Sequence, residues 1–587
     1  MNETIGVFVA WPYANGDSHL GHVAGAYLPP DIFARYHRLR GNRVLMVSGS
    51  DSHGTPITIG AERAGVSPRE FFEYYHRRIV ESWRQLGISF DLFTHTDTEN
   101  HFRVSQDIFR DLYEKGYITL HDVQQLYCEV DQRFLPDRYV EGACPFCGYT
   151  NARGDQCDNC GRTLDATDLI DPRCKLCGST PVIRDTEHFF FDLPAFEKPL
   201  LDYINGQEHW RPNVQNFVRN WLQEGLLPRP VSRDIEWGIP VPIEGYEHKI
   251  IYVWFEAVIG YLSASIEWAA NNGRPDAWRD WWFDPNARPY YFIGKDNIPF
   301  HAIIWPAELL AYNPEMDLPY DIPANEFLNL EGRQFSTSRN WAVWLPDYLE
   351  RYAPDPLRYY LTAIAPETRD SEFTWAGYVE RNNNELVAAW GNLVNRVVSF
   401  AHRHWDGVVP TPGELDERDR ELLASIEAGF QTVGDLYAGV ELREALRQAM
   451  ALAREVNRYL DETAPWFEVK TDKAAAATSV YVALRAIDSL KLLLAPVLPF
   501  SSERVHQFLG YEDRLFGDLT ITEYQEETRG HEALTYQPLP VEGTADRWRP
   551  SDLRPGQALQ KPSVLFQKLD ESVVEEERAR LEASAAG

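Results

Sequence analysis

The spacing of apolar residues divides the chain into regions of different character. Residues 1–115 alternate short apolar runs with amphipathic stretches. The run IGVFVA at 5–10 is typical of a buried strand, and RVLMVSGS at 43–50 is a second run that ends in a polar turn. This alternation predicts a parallel α/β sheet that carries ligand-binding groups at the carboxyl ends of its strands.

Residues 116–231 interrupt this pattern with short strands, turns and every cysteine of the chain. The α/β pattern resumes over 232–330, where YYFIG at 290–294 is another apolar run. We therefore expect one nucleotide-binding sheet that is split by an inserted metal-binding module.

Helical spacing dominates residues 376–545, which we expect to form a separate bundle of antiparallel helices. Residues 546–587 combine a proline-rich linker with a charged helix. The positions that define the helical spacing are Leu422, Leu423, Ile426, Phe430, Val433, Leu442, Leu446, Met450, Val456, Tyr459 and Leu460.

Composition narrows the class of protein. The chain has 587 residues, is 44% hydrophobic and 13% aromatic, and has no apolar stretch of the ~20 residues that a membrane helix needs. Because the amino terminus also lacks the features of a signal peptide, we expect a cytoplasmic enzyme with no membrane association. The net charge of −31 argues against a protein that coats nucleic acid, but it is compatible with a local basic patch.

Two cysteine pairs have the spacing of a metal site. Nine residues separate CPFC from CDNC, so that four thiolates can reach one tetrahedral Zn²⁺ at ~2.3 Å. Four protein ligands leave no open position for water, which indicates a structural zinc; the alternative is four buried, unligated cysteines. The predicted ligands are Cys144, Cys147, Cys157 and Cys160.

A third pair, CKLC, has no fourth pair to complete it. Upstream, YCEVD offers a cysteine and, three residues later, an aspartate, which is a carboxylate that zinc accepts. A second zinc site and an empty or weak site both remain open here. Its ligands would be Cys128, Asp131, Cys174 and Cys177.

The segment WPYANGDSHLGH at 11–22 is a predicted strand–turn–helix with two histidines on one face of the helix start. Gly21 lets a flat ligand approach the backbone, and His19 and His22 could donate hydrogen bonds to a phosphoryl group that gains charge. On the spacing alone, two partly exposed histidines near a helix cap are the simpler interpretation.

The wider context resembles a known family. HLGH is similar to the HIGH signature of class I aminoacyl-tRNA synthetases, and PYANGxxHLGH is the form found in the methionyl-tRNA synthetase family. The resemblance covers about residues 5–540. It also includes GSDSHGTPI at 49–57, RDTEHFFFDLPAF at 184–196, SRDIEWGIPVP at 232–242, YVWFEAVIGY at 252–261 and FIGKDNIPFH at 292–301.

This resemblance implies a Rossmann-like sheet split by a zinc-binding insertion, a loop and stem-contact region at 331–375, and a helical anticodon-binding domain at 376–545. It also implies the activity: methionine and ATP would give methionyl-adenylate, and the methionyl group would pass to the 3′ end of tRNA(Met). His19 and His22 would stabilise the phosphate in the transition state, Gly294 and Asp296 would contact the ribose, and Mg²⁺ would accompany ATP.

The family's KMSKS loop corresponds to Gln334–Ser338, where both lysines are missing. The resemblance places Ser336, Thr337 and Ser338 at ATP. Arg333 and Arg339 flank the loop and are candidates to supply the missing positive charge, although arginine differs from lysine in geometry. Lys295 is a further candidate partner of the phosphates.

The resemblance also implies a methionine pocket in which Asp51 would hold the substrate ammonium. Most of its other positions are apolar or aromatic, which suits a polarizable thioether. The pocket would comprise Ala10, Trp11, Tyr13, Asp51, Trp254, Ala257, Val258, Tyr261, Asn297 and His301.

In the helical domain, AWGNLVNR and DETAPWFE resemble the family's anticodon-reading segments. Asn392 and Arg396 lie four residues apart on one helix face, and Pro465 precedes Trp466, which is suited to stacking on an unpaired base. Without the resemblance, burial in a helix core is the simpler interpretation of Trp466.

Two alternatives from other classes remain. One is a related enzyme that activates an amino acid without charging tRNA, which the altered lysine loop favours weakly. The other is an inactive RNA-binding protein, which the intact HLGH segment and Asp51 disfavour because RNA binding needs neither. We expect a monomer, since the region after the helical domain does not resemble the dimerising domain that some relatives carry.

Overall fold

The computed structural model describes residues 3–154, 157, 159–160, 162, 164–337, 339–540 and 546–586. A seven-stranded sheet lies at its centre. Its first five strands are parallel, which confirms the predicted parallel sheet, and the last two are antiparallel. From one edge to the other, the strands are Ala324–Asn325, Ala287–Gly294, Thr4–Val9, Arg43–Ser50, Leu92–His95, Gly530–Gln537 and Asp518–Gln525.

The strand Thr4–Val9 is buried along its whole length. Ile5, Val7 and Val9 contribute to the core on one side of the sheet, and Phe8 contributes to the core on the other side. A parallel strand with helices on both faces requires such an apolar run. The helices that flank the sheet are Leu20–His22, Leu28–Leu39, Thr55–Ala64, Pro68–Leu86, Glu99–Glu114, Val253–Asn271 and Trp305–Tyr312.

An insertion divides the sheet, as predicted. It leaves and re-enters through a long antiparallel pair, Ile118–Cys128 with Val182–Phe191. Short strands at the tip surround the cysteines, and helices lead the chain back towards the sheet. The further elements are Arg133–Phe134, Val140–Ala143, Ala152–Arg153, Ile170–Cys174, Glu197–Asn205, Pro212–Glu224, Arg229–Pro230, Ser232–Arg233 and Ile250–Ile251.

A small three-stranded sheet and three helices follow the seven-stranded sheet. The strand Leu328–Leu330 pairs in parallel with Ser371–Phe373 and antiparallel with Arg333–Gln334, so the KMSKS-like loop begins at a hairpin. The helices of this region are Leu345–Arg351, Pro354–Ala363 and Trp375–Arg381.

The predicted helical domain is present, and the apolar positions that defined its spacing are buried. Its α-helices are Asn392–His404, Glu417–Ala438, Leu442–Thr463, Pro465–Glu468, Lys473–Leu494 and Pro499–Phe508.

The last part of the region predicted as helical, 376–545, is not helical. Residues 518–537 form a β-hairpin that extends the seven-stranded sheet next to Leu92–His95. Arg529 pairs with Asp97 at 3.1 Å, and the Glu526 carboxylate accepts the N–H of Asn100 at 2.9 Å. The β-branched and aromatic residues of LTITEY and ALTY favour strands.

The predicted charged helix near the end of the sequence is Ser572–Ala586, and it packs against the helix Trp375–Arg381. Over the described ranges, no helix combines the length and the apolar character needed to cross a membrane.

Candidate active site

His19 and His22 form an interlocked pair at the carboxyl end of the strand Thr4–Val9. The backbone N–H of His22 donates to Nδ1 of His19 at 3.3 Å, and that of His19 donates to Nδ1 of His22 at 3.4 Å. The two rings stack with centroids 3.6 Å apart. Because each Nδ1 accepts a hydrogen bond, each neutral ring carries its proton on Nε2, which is left to donate to a ligand.

Both imidazoles are held neutral. Burial, together with the neighbouring His22 ring, lowers the pKa of His19 well below its usual value. Desolvation by the surrounding protein also lowers the pKa of His22, although this side chain is open to solvent on one side. The pair therefore offers two N–H donors without a net charge at neutral pH.

The turn after the strand Ala287–Gly294 lies at the same edge of the sheet, because this strand pairs in parallel with Thr4–Val9. Asn325, the register partner of Gly294, donates from Nδ2 to the carbonyl of Gly25 at 2.9 Å. This bond ties the turn at Gly294 and Asp296 to the helical segment Val23–Tyr27, which directly follows His22.

Lys295 does not face this cleft freely. Its Nζ lies 2.7 Å from a carboxylate oxygen of Glu326 and 3.0 Å from one of Asp370, and the ammonium also lies over the Phe327 ring. A contact between Lys295 and a phosphate would require these ion pairs to open.

The KMSKS-like loop lies against the histidine pair. The Phe335 ring stacks on His19 with centroids 4.8 Å apart. The Arg333 guanidinium lies over the Trp341 ring at 4.5 Å, and Nε of Arg339 donates to Oγ of Ser336 at 3.1 Å. Arg333, Thr337 and Arg339 are exposed, and Ser338, which was predicted at ATP, lies outside the described residues.

Two aromatic neighbours of His19 were missed by sequence reasoning. Phe335 stands within the altered loop, and the Trp344 ring lies 5.9 Å from the His19 ring. Trp344 and His19 also form an isolated bridge between their backbones. The sequence offered one signal for Phe335, since it is an aromatic residue between the polar residues Gln334 and Ser336.

The predicted methionine pocket is built mainly on the helix Val253–Asn271, which carries Trp254, Ala257, Val258 and Tyr261. Nδ1–H of His301 donates to the carbonyl of Asn297 at 2.9 Å, so Nε2 of His301 accepts the Tyr261 hydroxyl proton at 2.6 Å. Burial lowers the pKa of His301 to about 4, which leaves the ring neutral.

Trp11 fills the space between two glycines. A Cβ atom added at Gly49 would lie 2.2 Å from the Trp11 ring, and one added at Gly260 would lie 2.7 Å from it. Both glycines are therefore needed for this ring position. The Tyr13 ring meets Trp254 edge-on at 6.1 Å, and Ala10 is buried next to Trp11.

Asp51 is buried beside Tyr13, and its Oδ1 accepts the backbone N–H of His53 at 3.2 Å. Burial, with a further contribution from the negative charge of Glu256, raises the pKa of Asp51 well above its usual value. A bound ammonium would favour the ionised carboxylate.

A buried network behind Asp51 was not foreseen from sequence. Glu256 binds two imidazoles, Nδ1 of His53 at 2.8 Å and Nε2 of His101 at 3.0 Å. Burial alone would lower the pKa of His53, but Glu256 and Asp97 raise it to about 10. His53 and Glu256 are separated by 203 positions, so no local sequence pattern predicts their contact.

Both predicted cysteine groups converge. In each group, the candidate ligand atoms lie within 4.8 Å of one another. The Cys144–Cys160 and Cys147–Cys157 sulfurs are 3.9 and 3.6 Å apart, close to the ~3.8 Å edge of a tetrahedron with 2.3 Å bonds. The first group therefore fits Zn²⁺.

The second group fits a Cys₃Asp donor set. Oδ2 of Asp131 lies 3.1 Å from the sulfur of Cys128 and 3.0 Å from that of Cys174, and the Cys128 and Cys177 sulfurs are 3.5 Å apart. Oγ of Ser179 lies 3.2 Å from the Cys128 sulfur.

Two of the predicted anticodon residues, Arg396 and Trp466, are in contact. The Arg396 guanidinium lies over the Trp466 ring at 4.5 Å, and the Phe400 ring meets Trp466 edge-on at 4.9 Å. Trp466 is half-buried and Asn392 is exposed, while Pro465 begins the short helix after Ala464. The neighbouring Phe467, which sequence reasoning missed, is 73% exposed.

Comparisons with known proteins agree with this arrangement. Residues 5–398 match the family model of class I tRNA synthetases (M), and residues 409–538 match that of the anticodon binding domain of methionyl tRNA ligase. The chain is 72% identical over 585 residues to the methionine–tRNA ligase of Thermomicrobium roseum, with 100% of both chains covered. It is 54% identical to that of Roseiflexus castenholzii, with 99% of both covered.

A solved structure is similar throughout. The crystal structure of Mycobacterium tuberculosis methionyl-tRNA synthetase bound by methionyl-adenylate superposes with a TM-score of 0.74 at 25% identity, covering 97% of this chain and 100% of that one. With the family models and the curated relatives spanning nearly its whole length, the chain belongs to the methionyl-tRNA synthetases of class I.

Proposed function

We propose that this chain activates L-methionine with ATP and transfers the methionyl group to tRNA(Met). A carboxylate oxygen of methionine attacks the α-phosphorus of ATP, and the bond to the β-phosphate breaks with release of diphosphate. The terminal ribose hydroxyl of tRNA then attacks the methionyl carbonyl, and AMP leaves with the electron pair of the anhydride bond.

The observation that carries this proposal is the pair of neutral imidazoles at His19 and His22, with both Nε2–H groups left to donate beside the turn at Gly294. Such donors stabilise the oxygens of a phosphoryl group as charge accumulates on them. Alignment and charge stabilisation account for this kind of transfer without a covalent enzyme intermediate.

Arg333 and Arg339 supply the positive charge that the lysines of the KMSKS loop supply elsewhere in the family. Their exposure leaves both guanidinium groups accessible to the phosphates of ATP. Ser336, Thr337 and Ser338 contribute to the phosphate site, Asp296 contacts the ribose, and Mg²⁺ neutralises part of the charge of ATP.

Asp51 binds the ammonium of methionine, and the aromatic and apolar residues around Trp11 and Tyr261 enclose the thioether. A flexible, polarizable side chain is favoured by a pocket of aromatic rings. Asn297 and His301 complete the pocket, with the His301 ring fixed by its two hydrogen bonds.

Trp466 and Arg396 read the anticodon together. The Arg396 guanidinium lies over the Trp466 ring, so the two side chains present a planar surface on which an unpaired base can stack. Asn392 offers a side-chain amide on the same helix face, and Pro465 fixes the start of the short helix.

Both cysteine groups bind structural zinc. Four protein ligands fill the tetrahedral coordination of each ion and leave no open position for water or substrate, so the ions stabilise the insertion and take no part in the reaction. We further propose that the protein acts as a monomer in the cytoplasm.

ATP–diphosphate exchange over a panel of amino acids, followed by tRNA charging, tests the function. We expect exchange with methionine and charging of tRNA(Met). Exchange without charging would support the related enzyme that activates an amino acid for another purpose. The absence of exchange would contradict an activating enzyme of either kind.

A further inference from the structure

We propose that the helix Ser572–Ala586 is a positioning element for the catalytic loop, holding one end of the loop through Arg578 and the other through the carbonyl of Ser584. The two ends of the loop are Glu331 and Asn340. This inference rests on the proposed role of the loop in binding ATP, and it gives a task to a helix that had none.

The first contact is an ion pair at the start of the loop. Nε and Nη2 of Arg578 lie 3.1 and 3.0 Å from the same carboxylate oxygen of Glu331. The other carboxylate oxygen of Glu331 accepts the backbone N–H of Trp375 at 2.8 Å. Glu331 has a φ of +47°, so a strained backbone conformation coincides with these contacts.

The second contact lies at the end of the loop. Nδ2 of Asn340 donates to the carbonyl of Ser584 at 2.9 Å, and its Oδ1 accepts the indole N–H of Trp344 at 3.0 Å. Because Trp344 lies beside His19, the helix reaches the histidine pair through two side chains. Asn340 has a φ of +50°, which asparagine tolerates better than most residues.

The helix has an anchor of its own, independent of the loop. Glu577 is 4% exposed, and its carboxylate accepts hydrogen bonds from Nε and Nη2 of Arg351 at 3.1 and 3.0 Å. The Tyr352 hydroxyl donates to it at 2.8 Å, and Leu581 is buried nearby. The contacts to Glu331 and Asn340 are therefore made from a fixed support.

A loop fixed at both ends loses less conformational freedom when ATP binds. The two arginines of the loop, Arg333 and Arg339, have exposed side chains. Because one helix holds both ends of the loop, the two arginines can take fewer positions. We therefore expect the helix to favour binding of ATP and to leave binding of methionine unchanged.

A matched pair of variants tests the first contact. Arg578→Met removes the ion pair, whereas Arg580→Met changes an exposed arginine of the same helix whose carboxylate partner is Glu577 at 3.8 Å. We expect Arg578→Met to raise the KM for ATP in diphosphate exchange about two- to fivefold, the size of a partly exposed ion pair, with the KM for methionine unchanged. Equal behaviour of the two variants would overturn the proposal.

A double variant shows whether Arg578 acts through Glu331. If it does, Glu331→Gln with Arg578→Met should raise the KM for ATP no further than Glu331→Gln does alone. Independent, multiplying effects would show that the helix acts on ATP by another route.

The second contact has its own matched pair. Asn340→Asp keeps the oxygen that Trp344 uses but loses the donor to Ser584, while Ser584→Ala leaves the accepting carbonyl in place. We expect a rise in the KM for ATP only in Asn340→Asp.

Failure of this inference and failure of the proposed loop function differ. If Arg333→Ala and Arg339→Ala slow exchange while Arg578→Met and Asn340→Asp do not, the loop acts on ATP without the brace. If none of these four variants alters the exchange reaction, the proposed role of the loop in binding ATP is wrong.

Discussion

The ring of Phe335 stacks on the ring of His19, with centroids 4.8 Å apart and planes 16° from parallel. His19 is therefore enclosed between Phe335 and His22, and its position depends on the loop as well as on its own helix. Gly21 lies beneath this stack, where a Cβ would approach the His19 ring to 3.0 Å and the Phe335 ring to 3.2 Å.

Replacing this glycine should disturb the stack. In Gly21→Ala, the methyl group must displace one ring, so we expect a lower kcat for ATP–diphosphate exchange and an unchanged KM for methionine. Gly25→Ala is the matched control, since a Cβ there meets nothing within 4 Å. Equal activity of the two variants would show that the stacked arrangement is not needed for adenylate formation.

The affinity for methionine should depend on pH through Asp51. Burial and Glu256 raise its pKa, and only the ionised carboxylate pairs with the substrate ammonium. Below this raised pKa, Asp51 of the free enzyme is protonated, and the proton must leave before the methionine ammonium can pair with the carboxylate. The KM for methionine should therefore fall as pH rises through the pKa of Asp51 and then level off. Asp51→Asn should raise the KM for methionine and abolish this slope, and a slope that survives the substitution would assign it to another group.

The arginines of the loop should act on the first step. Arg333→Ala and Arg339→Ala each remove a positive charge from the proposed phosphate site, so we expect slower adenylate formation with little change in methionine binding. Single-turnover formation of methionyl-adenylate measures the step directly. If neither variant slows it, arginine does not replace the missing lysines.

Trp466 should matter only for tRNA. Stacking on a base contributes about 1–3 kcal/mol, so Trp466→Ala should lower kcat/KM for charging by about 5- to 150-fold. Exchange without tRNA serves as the internal control and should remain unchanged. A parallel loss in both assays would mean that Trp466 stabilises the fold instead of contacting the anticodon.

Metal analysis should find two zinc ions per chain. Cys157→Ser removes a ligand from the Cys₄ group, and Cys174→Ser removes one from the Cys₃Asp group, so each variant should retain one zinc. A wild-type content of one zinc, lost in Cys157→Ser and kept in Cys174→Ser, would show that the second group does not bind zinc.

Much of the fold could be predicted because many of its helices and strands follow from the pattern of residues within a short segment. The buried strand at Thr4–Val9 is a continuous apolar run, and the helix Leu442–Thr463 keeps its apolar face over its length. The convergence of Cys144, Cys147, Cys157 and Cys160 was predictable for the same reason, since they lie within a short segment, whereas the second group joins two distant segments and was left open.

Other contacts join residues that are far apart in the chain and leave no local pattern. The hydrogen bond between His53 and Glu256 is one such contact, and the pairing of Lys295 with Asp370 is another. The hairpin at 518–537 was assigned to the helical region because its partner strand is distant in sequence. Sequence supplied candidate residues for the site, but the contacts of Phe335 and Glu256 with the histidines became visible only in the fold.

The pairing of Gly530–Gln537 with Leu92–His95 has a consequence for synthesis of the protein. These strands lie roughly 440 residues apart in the chain. A ribosome needs about 20 to 90 s to translate the residues between them. During that interval Leu92–His95 remains an open sheet edge, able to pair with strands of other nascent chains. The yield of native enzyme should therefore depend on how well chaperones cover this edge during that interval.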